Sequence, residues 1–260
     1  MQNIKKKFSE KMCALHKLFL DVLFPVGCLN CGKEGDWLCE KCLSKIKTRG
    51  EQVCPICEKA ITPDGKTCFN CRKRSSLDGL LVCSSYRDKT LSKMIHLFKY
   101  RFVPDLHMPL AEIMSGKITS SSLPLPDLIV PVPLHPKRLR WRGFNQSALL
   151  AEQLSKNIAP GIEIPVQENV LARTRHTSAQ MKIKNHQERK RNIQNAFSVI
   201  RPREIKGKDI LLVDDVATTG ATLFECAKIL KGKGAREVLA VVVARQETDN
   251  RHKPSVNLKL

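Results

Sequence analysis

The sequence predicts an α/β fold, in which a central, mostly parallel sheet is covered by helices on both faces, behind a small cysteine-rich module. Four Cys-x-x-Cys pairs fall within residues 28–71, and from about residue 77 apolar strand-like segments alternate with helical ones. Such alternation is typical of parallel sheets, whose buried strands are joined by helices. We therefore expect a first module at residues 1–76, a sheet domain at 77–248 and a tail at 249–260.

The first element is an amphipathic helix. Its apolar residues recur at helical spacing, and they are Phe8, Met12, Leu15, Phe19 and Val22. Charged residues interrupt this segment, so it is too short and too polar to span a membrane, and no signal peptide is evident. We expect the helix to pack on the protein's own core, with the surface of a membrane as the alternative.

Eight of the eleven cysteines form the four pairs, which are Cys28 and Cys31, Cys39 and Cys42, Cys54 and Cys57, and Cys68 and Cys71. Two such pairs complete a tetrahedral thiolate shell for zinc, and an all-cysteine shell leaves no position for water, as in structural sites. Disulfides would need an oxidising compartment, and four thiolates would also hold an iron–sulfur cluster. Short polar hairpins between the pairs favour two structural zinc ions. Sequential grouping closes the shorter loops, but interleaved grouping stays open.

The other three cysteines, Cys13, Cys83 and Cys226, lie in apolar surroundings and are expected to be core thiols. In the sheet domain, strands are predicted at residues 79–86, 126–133, 210–213 and 236–244. Helices are predicted at residues 90–100, at 145–158 with Asn145 as the N-cap, and from about Thr222. Ligands of such sheets bind beyond the carboxyl ends of the strands.

Two adjacent carboxylates, Asp214 and Asp215, follow the apolar strand at 210–213. The loop after Val216 is made of small and hydroxyl-bearing residues, Ala217, Thr218, Thr219, Gly220, Ala221 and Thr222. Its backbone N–H groups and the positive end of the next helix favour a phosphate. The carboxylates would repel that phosphate, but they can accept hydrogen bonds from hydroxyl groups beside it. A phosphate beside a diol indicates a ribose 5-phosphate, whereas a helix cap followed by a turn would need only one acid.

The charge of the chain is strongly positive, with a formal net charge of +20. Residues 172–208 hold 11 basic and two acidic side chains, and residues 134–160 hold five and one. Such a balance favours nucleic acid, an anionic membrane surface or a polyphosphate ligand. Aromatic residues make up only 5% of the chain, which is few for the stacking platforms that bind single-stranded nucleic acid. Neither a P-loop nor a dinucleotide-binding glycine motif is present.

The stretch ILLVDDVATTGAT, residues 210–222, resembles the ribose-5-phosphate signature of type I phosphoribosyltransferases at all thirteen positions. The resemblance implies the type I phosphoribosyltransferase fold, with phosphoribosyl pyrophosphate and magnesium as ligands. It implies that Asp214 and Asp215 bind the ribose hydroxyls as catalytic residues, and that the loop from Ala217 to Thr222 holds the 5-phosphate.

Three further features indicate a particular family with this signature. They are the four cysteine pairs and the two segments PVPLHPKRLRWRGFNQSALLAEQL and RTRHTSAQMKIKNHQERKRNIQNAF. Together they resemble the ComF/GntX family from about residue 24 to residue 245. Members of this family are bacterial and cytoplasmic, and some serve natural transformation. The resemblance implies action on incoming single-stranded DNA at the inner face of the membrane, beside a helicase-like partner.

Two basic segments acquire roles from the resemblance. Residues 134–142 resemble the pyrophosphate loop, where Lys137 and Arg138, with Arg140 and Arg142, would stabilise the leaving group; a nucleic-acid contact is the alternative. Residues 173–191 occupy the place of a catalytic lid that excludes water, or else track a DNA strand. The polar positions expected to act there are Arg173 and Arg175, as catalytic residues, with Gln180, Arg189 and Asn192.

Two functions of different class stay open at this point. The first is a phosphoribosyltransferase, which transfers ribose 5-phosphate to an acceptor that the sequence does not reveal. The second is a non-catalytic competence factor that binds single-stranded DNA and carries a regulatory or vestigial sugar-phosphate site.

Overall fold

The computed structural model describes residues 25–177 and 186–246. The predicted N-terminal helix, Cys13, Gln180 and the tail at 249–260 lie outside these residues. The chain divides into two compact units, Met1–Lys45 and Ile46–Leu260. The second group of four cysteines belongs in this division to the same compact unit as the sheet. The domain boundaries at residues 76 and 248 stay predictions.

The described part of the first unit is built around four cysteines. A tight knuckle closes where the N–H of Gly32 donates to the Cys28 carbonyl at 2.8 Å, and helix α1 spans Glu40–Leu43. Cys28, Cys39 and Cys42 are buried there, together with Leu38. So small an apolar core indicates that a bound metal ion has to supply much of the stability.

A parallel sheet of four strands forms the centre of the second unit, in the order β1-β6-β5-β2. These strands are β1 (Gly79–Ser85), β2 (Leu128–Pro131), β5 (Asp209–Ala217) and β6 (Glu237–Arg245). Strands β3 (Leu171–Arg173) and β4 (Phe197–Val199) form a separate antiparallel pair. The predicted parallel sheet is confirmed, and all four of its strands were predicted.

Helices cover both faces of this sheet. The helices described in this unit are α2 (Phe69–Arg72), α3 (Lys89–Tyr100), α4 (His107–Thr119), α5 (Pro136–Arg142), α6 (Gln146–Asn157), α7 (His186–Ile193) and α8 (Ala221–Gly232). Two of them, α2 and α5, contain no buried residue and do not form part of this cover. Helix α8 packs in one core cluster with Ile210 and Leu212 of β5. Leu211 and Val213 point to the opposite face and are also buried, as the alternation of side chains along a strand requires.

Two local predictions need correction. Strand β5 does not end at residue 213 but continues through both acids to Ala217, because its hydrogen bonds to β6 extend as far as the pair of Ala217 and Arg245. Residues 134–142, predicted as a loop, contain helix α5. Pro136 begins this helix, and Gly143, in the left-handed conformation with φ 81°, ends it; both are typical helix-end residues.

The second cysteine group is bound tightly to the edge strand β1. The Gln52 side-chain amide pairs with the backbone of Val82, accepting from its N–H at 3.1 Å and donating to its carbonyl at 3.0 Å. Gly65, at φ 71°, lies so close to β1 that an added Cβ would be 2.1 Å from the Leu80 carbonyl oxygen. The hairpins that carry these cysteines are thus fixed to the sheet. Within the described residues, no helix has the length and apolarity needed to cross a bilayer.

Candidate functional site

An open cleft of about 370 Å³ lies at the carboxyl ends of the strands. All four strands of the parallel sheet contribute to its lining at or next to their last residues, through Tyr86, Val132, Val216 and Gln246. This is where open parallel sheets bind their ligands. Both predicted acids, Asp214 and Asp215, line the cleft.

Asp215 forms an ion pair at the base of the cleft. The Lys99 Nζ, from the last turn of α3, lies 2.9 Å from Asp215 Oδ1, and the two side chains are 16% and 8% exposed. The second bond to this oxygen comes from the Val216 N–H at 2.6 Å. Burial opposes the charge of Lys99, but the neighbouring Asp215 outweighs it and raises the pKa of Lys99. The lysine therefore stays charged and balances one carboxylate.

Asp214 has weaker partners than its neighbour. Its Oδ1 accepts from the Ser147 hydroxyl at 3.0 Å and from the Asp215 N–H at 2.9 Å. Burial and the adjacent Asp215 raise the pKa of Asp214 to about 7. A carboxyl group held this close to neutrality in a cleft indicates a functional position.

Three arginines form a cation cluster in the lining of the cleft. Arg138, Arg142 and Arg173 line it, and a Thr177 backbone carbonyl accepts from Arg138 Nη2 at 2.9 Å while the Thr177 hydroxyl bonds Arg173. Burial and then Arg138 lower the pKa of Arg173 to about 10. Among the described residues, the buried Nε atoms of Arg142 and Arg173 have no hydrogen-bond partner. Like charges held together with spare donors favour an anionic ligand.

The predicted phosphate loop divides between two sides. Thr218 and Thr222 line the cleft, whereas Thr219 and Ala221 line a second pocket of about 350 Å³ behind the loop. Gly220 caps helix α8 at φ 75°, and a Cβ there would lie 3.1 Å from the Phe224 ring. Any other residue at 220 would therefore be strained, which explains the glycine.

Three of the predicted basic residues whose side chains are described, Lys137, Arg140 and Arg175, do not line the cleft. Lys137 is exposed on α5. Arg175 instead donates through Nη2 to the backbone carbonyls of Asn192 at 3.0 Å and Gln194 at 2.7 Å. Arg175 thereby joins the two ends of the segment predicted as a lid. Within that segment, residues 178–185 and the side chain of Arg189 lie outside the described part of the chain.

Lys99 and Ser147 are the contributors to the site that were not predicted. Lys99 follows Ile95 by four residues, on the face of α3 that holds the buried Leu91, Ile95 and Phe98. A lysine on an apolar helix face is a signal of a buried partner, although it does not identify that partner. Ser147 stands in the first turn of α6, just after the Asn145 cap, which accepts from the Ser147 N–H at 3.2 Å as predicted.

The cysteines form two sites, and the grouping is sequential. The ligand atoms of Cys28, Cys31, Cys39 and Cys42, and those of Cys54, Cys57, Cys68 and Cys71, lie within 4.8 Å of one another in each group. The Sγ separations of 3.7 Å for Cys31–Cys39 and 3.9 Å for Cys57–Cys68 match the edge of a tetrahedron whose Zn–S bonds are about 2.3 Å. Backbone N–H groups of Ala60 and Lys59 lower the pKa of Cys57 to about 6, whereas the Cys68 side chain raises the pKa of Cys71 to about 12. These residues fit zinc, and the buried Cys83 and Cys226 are core thiols as predicted.

Comparison with known protein families supports both the sheet domain and the cysteine sites. A family model described as a phosphoribosyl transferase domain matches residues 145–259, and one described as a double zinc ribbon domain matches residues 19–85. The chain therefore has a phosphoribosyltransferase fold and carries structural zinc sites. Lys99 and Arg138 precede the matched part of the transferase domain.

The relatives cover most of the chain. "Competence protein F" of Haemophilus influenzae is 33% identical over 84% of this chain and 94% of its own length. "DNA utilization protein YhgH" of Escherichia coli is 32% identical over 78% and 88%. "Competence protein ComFC" of Bacillus subtilis is 28% identical over 78% and 81%.

Proposed function

This chain belongs to the ComF/GntX family, and from that membership we propose that its cleft binds phosphoribosyl pyrophosphate in the service of DNA uptake. The observation that carries the proposal is the charge pattern of one cleft. Two carboxylates, Asp214 and Asp215, line the same cleft as Thr218 and Thr222 at the start of α8 and as a group of three arginines. A ligand that fits this pattern has hydroxyls at its centre and phosphate at both ends.

The roles follow from the chemistry of each group. Asp214 and Asp215 accept hydrogen bonds from the 2- and 3-hydroxyls of the ribose, and the half-neutral state of Asp214 reduces its repulsion of the phosphates. Residues 217–222 bind the 5-phosphate through the loop and the start of α8. Arg138, Arg142 and Arg173 bind the pyrophosphate, whose oxygens also carry magnesium.

The reaction that this arrangement supports is departure of pyrophosphate from ribose C1. The arginine cluster stabilises the charge that develops on the leaving group. Arg175 takes part by joining the ends of the lid segment at Asn192 and Gln194, which makes it a positioning residue in this proposal. An acceptor for the ribose 5-phosphate would enter from the open side of the cleft, where Tyr86 and Trp141 lie.

Calorimetric titration of magnesium phosphoribosyl pyrophosphate into the zinc-loaded protein tests the proposal. We expect saturable binding with one site per chain, and at least a tenfold loss in Asp214→Asn, since a hydrogen bond to a charged group contributes about 1.5 kcal/mol or more. Lys137→Gln is the control, because Lys137 is exposed and does not line the cleft. A folded wild-type protein that gives no heat of binding would refute the proposal.

A second candidate function is the binding of single-stranded DNA. The observation that favours it is helix α5, which contains no buried residue and carries Lys137, Arg138, Arg140 and Arg142. Trp141 on the same helix is 61% exposed, with its ring 5.0 Å from that of Phe102 in an edge-on contact. Exposed aromatics among cations are typical of surfaces that bind single strands by stacking and phosphate contacts.

This function has its own test. We expect salt-dependent binding of a single-stranded oligonucleotide that Trp141→Ala and Arg140→Ala weaken and Asp214→Asn leaves unchanged. The same result with all three variants would contradict a separate DNA surface.

For cellular context we propose a cytoplasmic location beside a helicase-like partner at the inner face of the membrane.

A further inference from the structure

A buried ion pair joins the second cysteine group to the end of strand β6. Glu58 directly follows Cys57, and its carboxylate is paired with the guanidinium of Arg245, the last residue of β6. The Arg245 side chain is only 5% exposed and that of Glu58 is 24% exposed. A guanidinium so far from water needs its anionic partner, because an unpaired buried charge is costly.

Arg245 also reaches the phosphate loop. Its Nε donates to the backbone carbonyl of Thr218 at 3.4 Å, and the N–H of the next residue, Gln246, donates to the Ala217 carbonyl at 2.9 Å. The two bonds fix the start of the loop to the end of β6. Arg245 therefore contacts Glu58 on one side and the loop on the other.

The position of Glu58 depends in turn on the cysteine knuckle. Its N–H donates to the Cys54 carbonyl at 2.9 Å, and the Cys54 N–H donates to the Ala60 carbonyl at 2.8 Å, which closes the hairpin. Glu58 has φ 56°, in the left-handed region that a non-glycine residue adopts only when its surroundings require it. A metal ion that holds Cys54 and Cys57 together holds the backbone in this turn.

The pocket behind the phosphate loop is lined by the cysteine knuckle and by the loop with the start of α8. Pro55, Ile56 and Glu58 of the knuckle form one side, and Thr219 and Phe224 lie on the other. The loop thus rests between the ligand cleft in front and the cysteine knuckle behind. Movement of the knuckle would remove the support of Thr218 and expose the rear of the loop to water.

We propose that the metal site of Cys54, Cys57, Cys68 and Cys71 positions the phosphate loop through Glu58 and Arg245, so that its occupancy sets the affinity for the sugar phosphate. Glu58 and Arg245 are positioning residues, since neither lines the cleft. The inference rests on the proposed function for its effect on affinity, but the coupling itself concerns the loop and can be measured without ligand.

Glu58→Gln tests the coupling, with Glu51→Gln as its matched control. Both substitutions remove one carboxylate from the same segment, but Glu51 is exposed on the surface and its side chain belongs to none of these contacts. Hydrogen exchange of the backbone amides of residues 217–222 is the first readout. We expect faster exchange in Glu58→Gln and unchanged exchange in Glu51→Gln, with two zinc ions retained per chain in both.

Affinity for ribose 5-phosphate is the second readout. We expect the Kd to rise about tenfold in Glu58→Gln, which corresponds to 1.4 kcal/mol, and to stay at the wild-type value in Glu51→Gln. If wild type does not bind ribose 5-phosphate, the proposed function fails, while the exchange rates still decide the coupling. Equal loop exchange in the two variants would overturn the inference.

A pair of cysteine variants separates the two metal sites. Cys57→Ser removes a ligand from the second group and Cys31→Ser removes one from the first. We expect faster exchange of the loop amides only in Cys57→Ser, provided that the exchange of β5 and β6 stays slow and so reports a folded sheet. Faster loop exchange in both variants, or in neither, would contradict a specific role for the second site; if Cys57→Ser unfolds, Glu58→Gln alone decides.

Discussion

The Lys99 ammonium group lies 2.9 Å from the Asp215 carboxylate, and both side chains are largely removed from water. Asp214, the next residue back along β5, has the neutral Ser147 hydroxyl as its side-chain partner instead. The two acids therefore differ in charge environment although they are adjacent in the sequence. Asp215 is neutralised by an ion pair, whereas Asp214 is half-buried and, among the described residues, has no cationic partner of its own in direct contact.

Asp215→Asn is expected to destabilise the protein. It leaves the Lys99 charge without its carboxylate, and breaking a buried pair from one side costs about 3 kcal/mol or more. Denaturant unfolding of the zinc-loaded protein measures this loss. The double variant Lys99→Met, Asp215→Asn should recover part of it, and a double variant no more stable than Asp215→Asn would argue against the ion pair as the cause.

Asp214→Asn is expected to stabilise the protein, in contrast to Asp215→Asn. The pKa of Asp214 is raised to about 7, above the value of about 3.9 for an unfolded Asp, so the folded state holds this proton more tightly. Stability is consequently lost as the pH rises toward 7, and the full penalty applies above it. Asn removes the penalty and keeps an acceptor for Ser147.

The gain should be about 1 kcal/mol, or about 3 °C in Tm, at pH 8.5 and should shrink at pH 6.0. Thermal unfolding at the two pH values measures it. A Tm below that of wild type at pH 8.5, or a gain that grows as the pH falls, would show that Asp214 is not held in the state described here.

Arg138→Gln is expected to weaken binding of the pyrophosphate end of the ligand and to leave binding of the 5-phosphate end nearly unchanged. Arg138 lies in the arginine cluster and not in the phosphate loop, so its loss should weaken phosphoribosyl pyrophosphate about tenfold while ribose 5-phosphate changes less than about twofold. Competition binding with both ligands gives this ratio. Lys137→Gln, with the same change of charge one residue away, should alter neither affinity; equal losses for both ligands in Arg138→Gln would place Arg138 elsewhere.

Removal of zinc is expected to unfold the first unit before the sheet. Its described residues, 25–45, bury three cysteines and Leu38 and have little other core, whereas the sheet has a large apolar core of its own. Limited proteolysis with a strong chelator should therefore cleave first within residues 25–45. Cleavage that is as slow with chelator as without it would mean that metal does not hold this unit.

The elements built from apolar periodicity could be predicted from the sequence, because their patterns are local. The four strands of the parallel sheet, the Asn145 cap and the acids near the carboxyl end of β5 all follow from a few neighbouring residues, whereas β3 and β4 were not predicted. The partners of those acids could not be predicted in the same way. Lys99 reaches Asp215 from a helix far back in the chain, and only the tertiary fold brings the last turn of α3 to the carboxyl end of β5.

Two further features depended on tertiary structure. Basic residues at 134–142 suggested a ligand loop, but Pro136 and Gly143 at its ends allow a short helix that directs Arg138 and Arg142 into the cleft and Lys137 away from it. The spacing of the cysteines gave zinc sites but left their grouping open, and it gave no sign that the second group is fixed to β1 through Gln52.

Recognition of the ribose hydroxyls by the acid pair is tested by comparing the affinities of ribose 5-phosphate and 2-deoxyribose 5-phosphate for wild type and Asp214→Asn. If the acid pair binds the diol while the loop binds the phosphate, wild type should prefer the ribose form by about tenfold, and the preference should nearly vanish in the variant while the deoxy form binds both proteins alike. Equal affinity of wild type for the two sugars would mean that Asp214 and Asp215 do not bind the ribose hydroxyls.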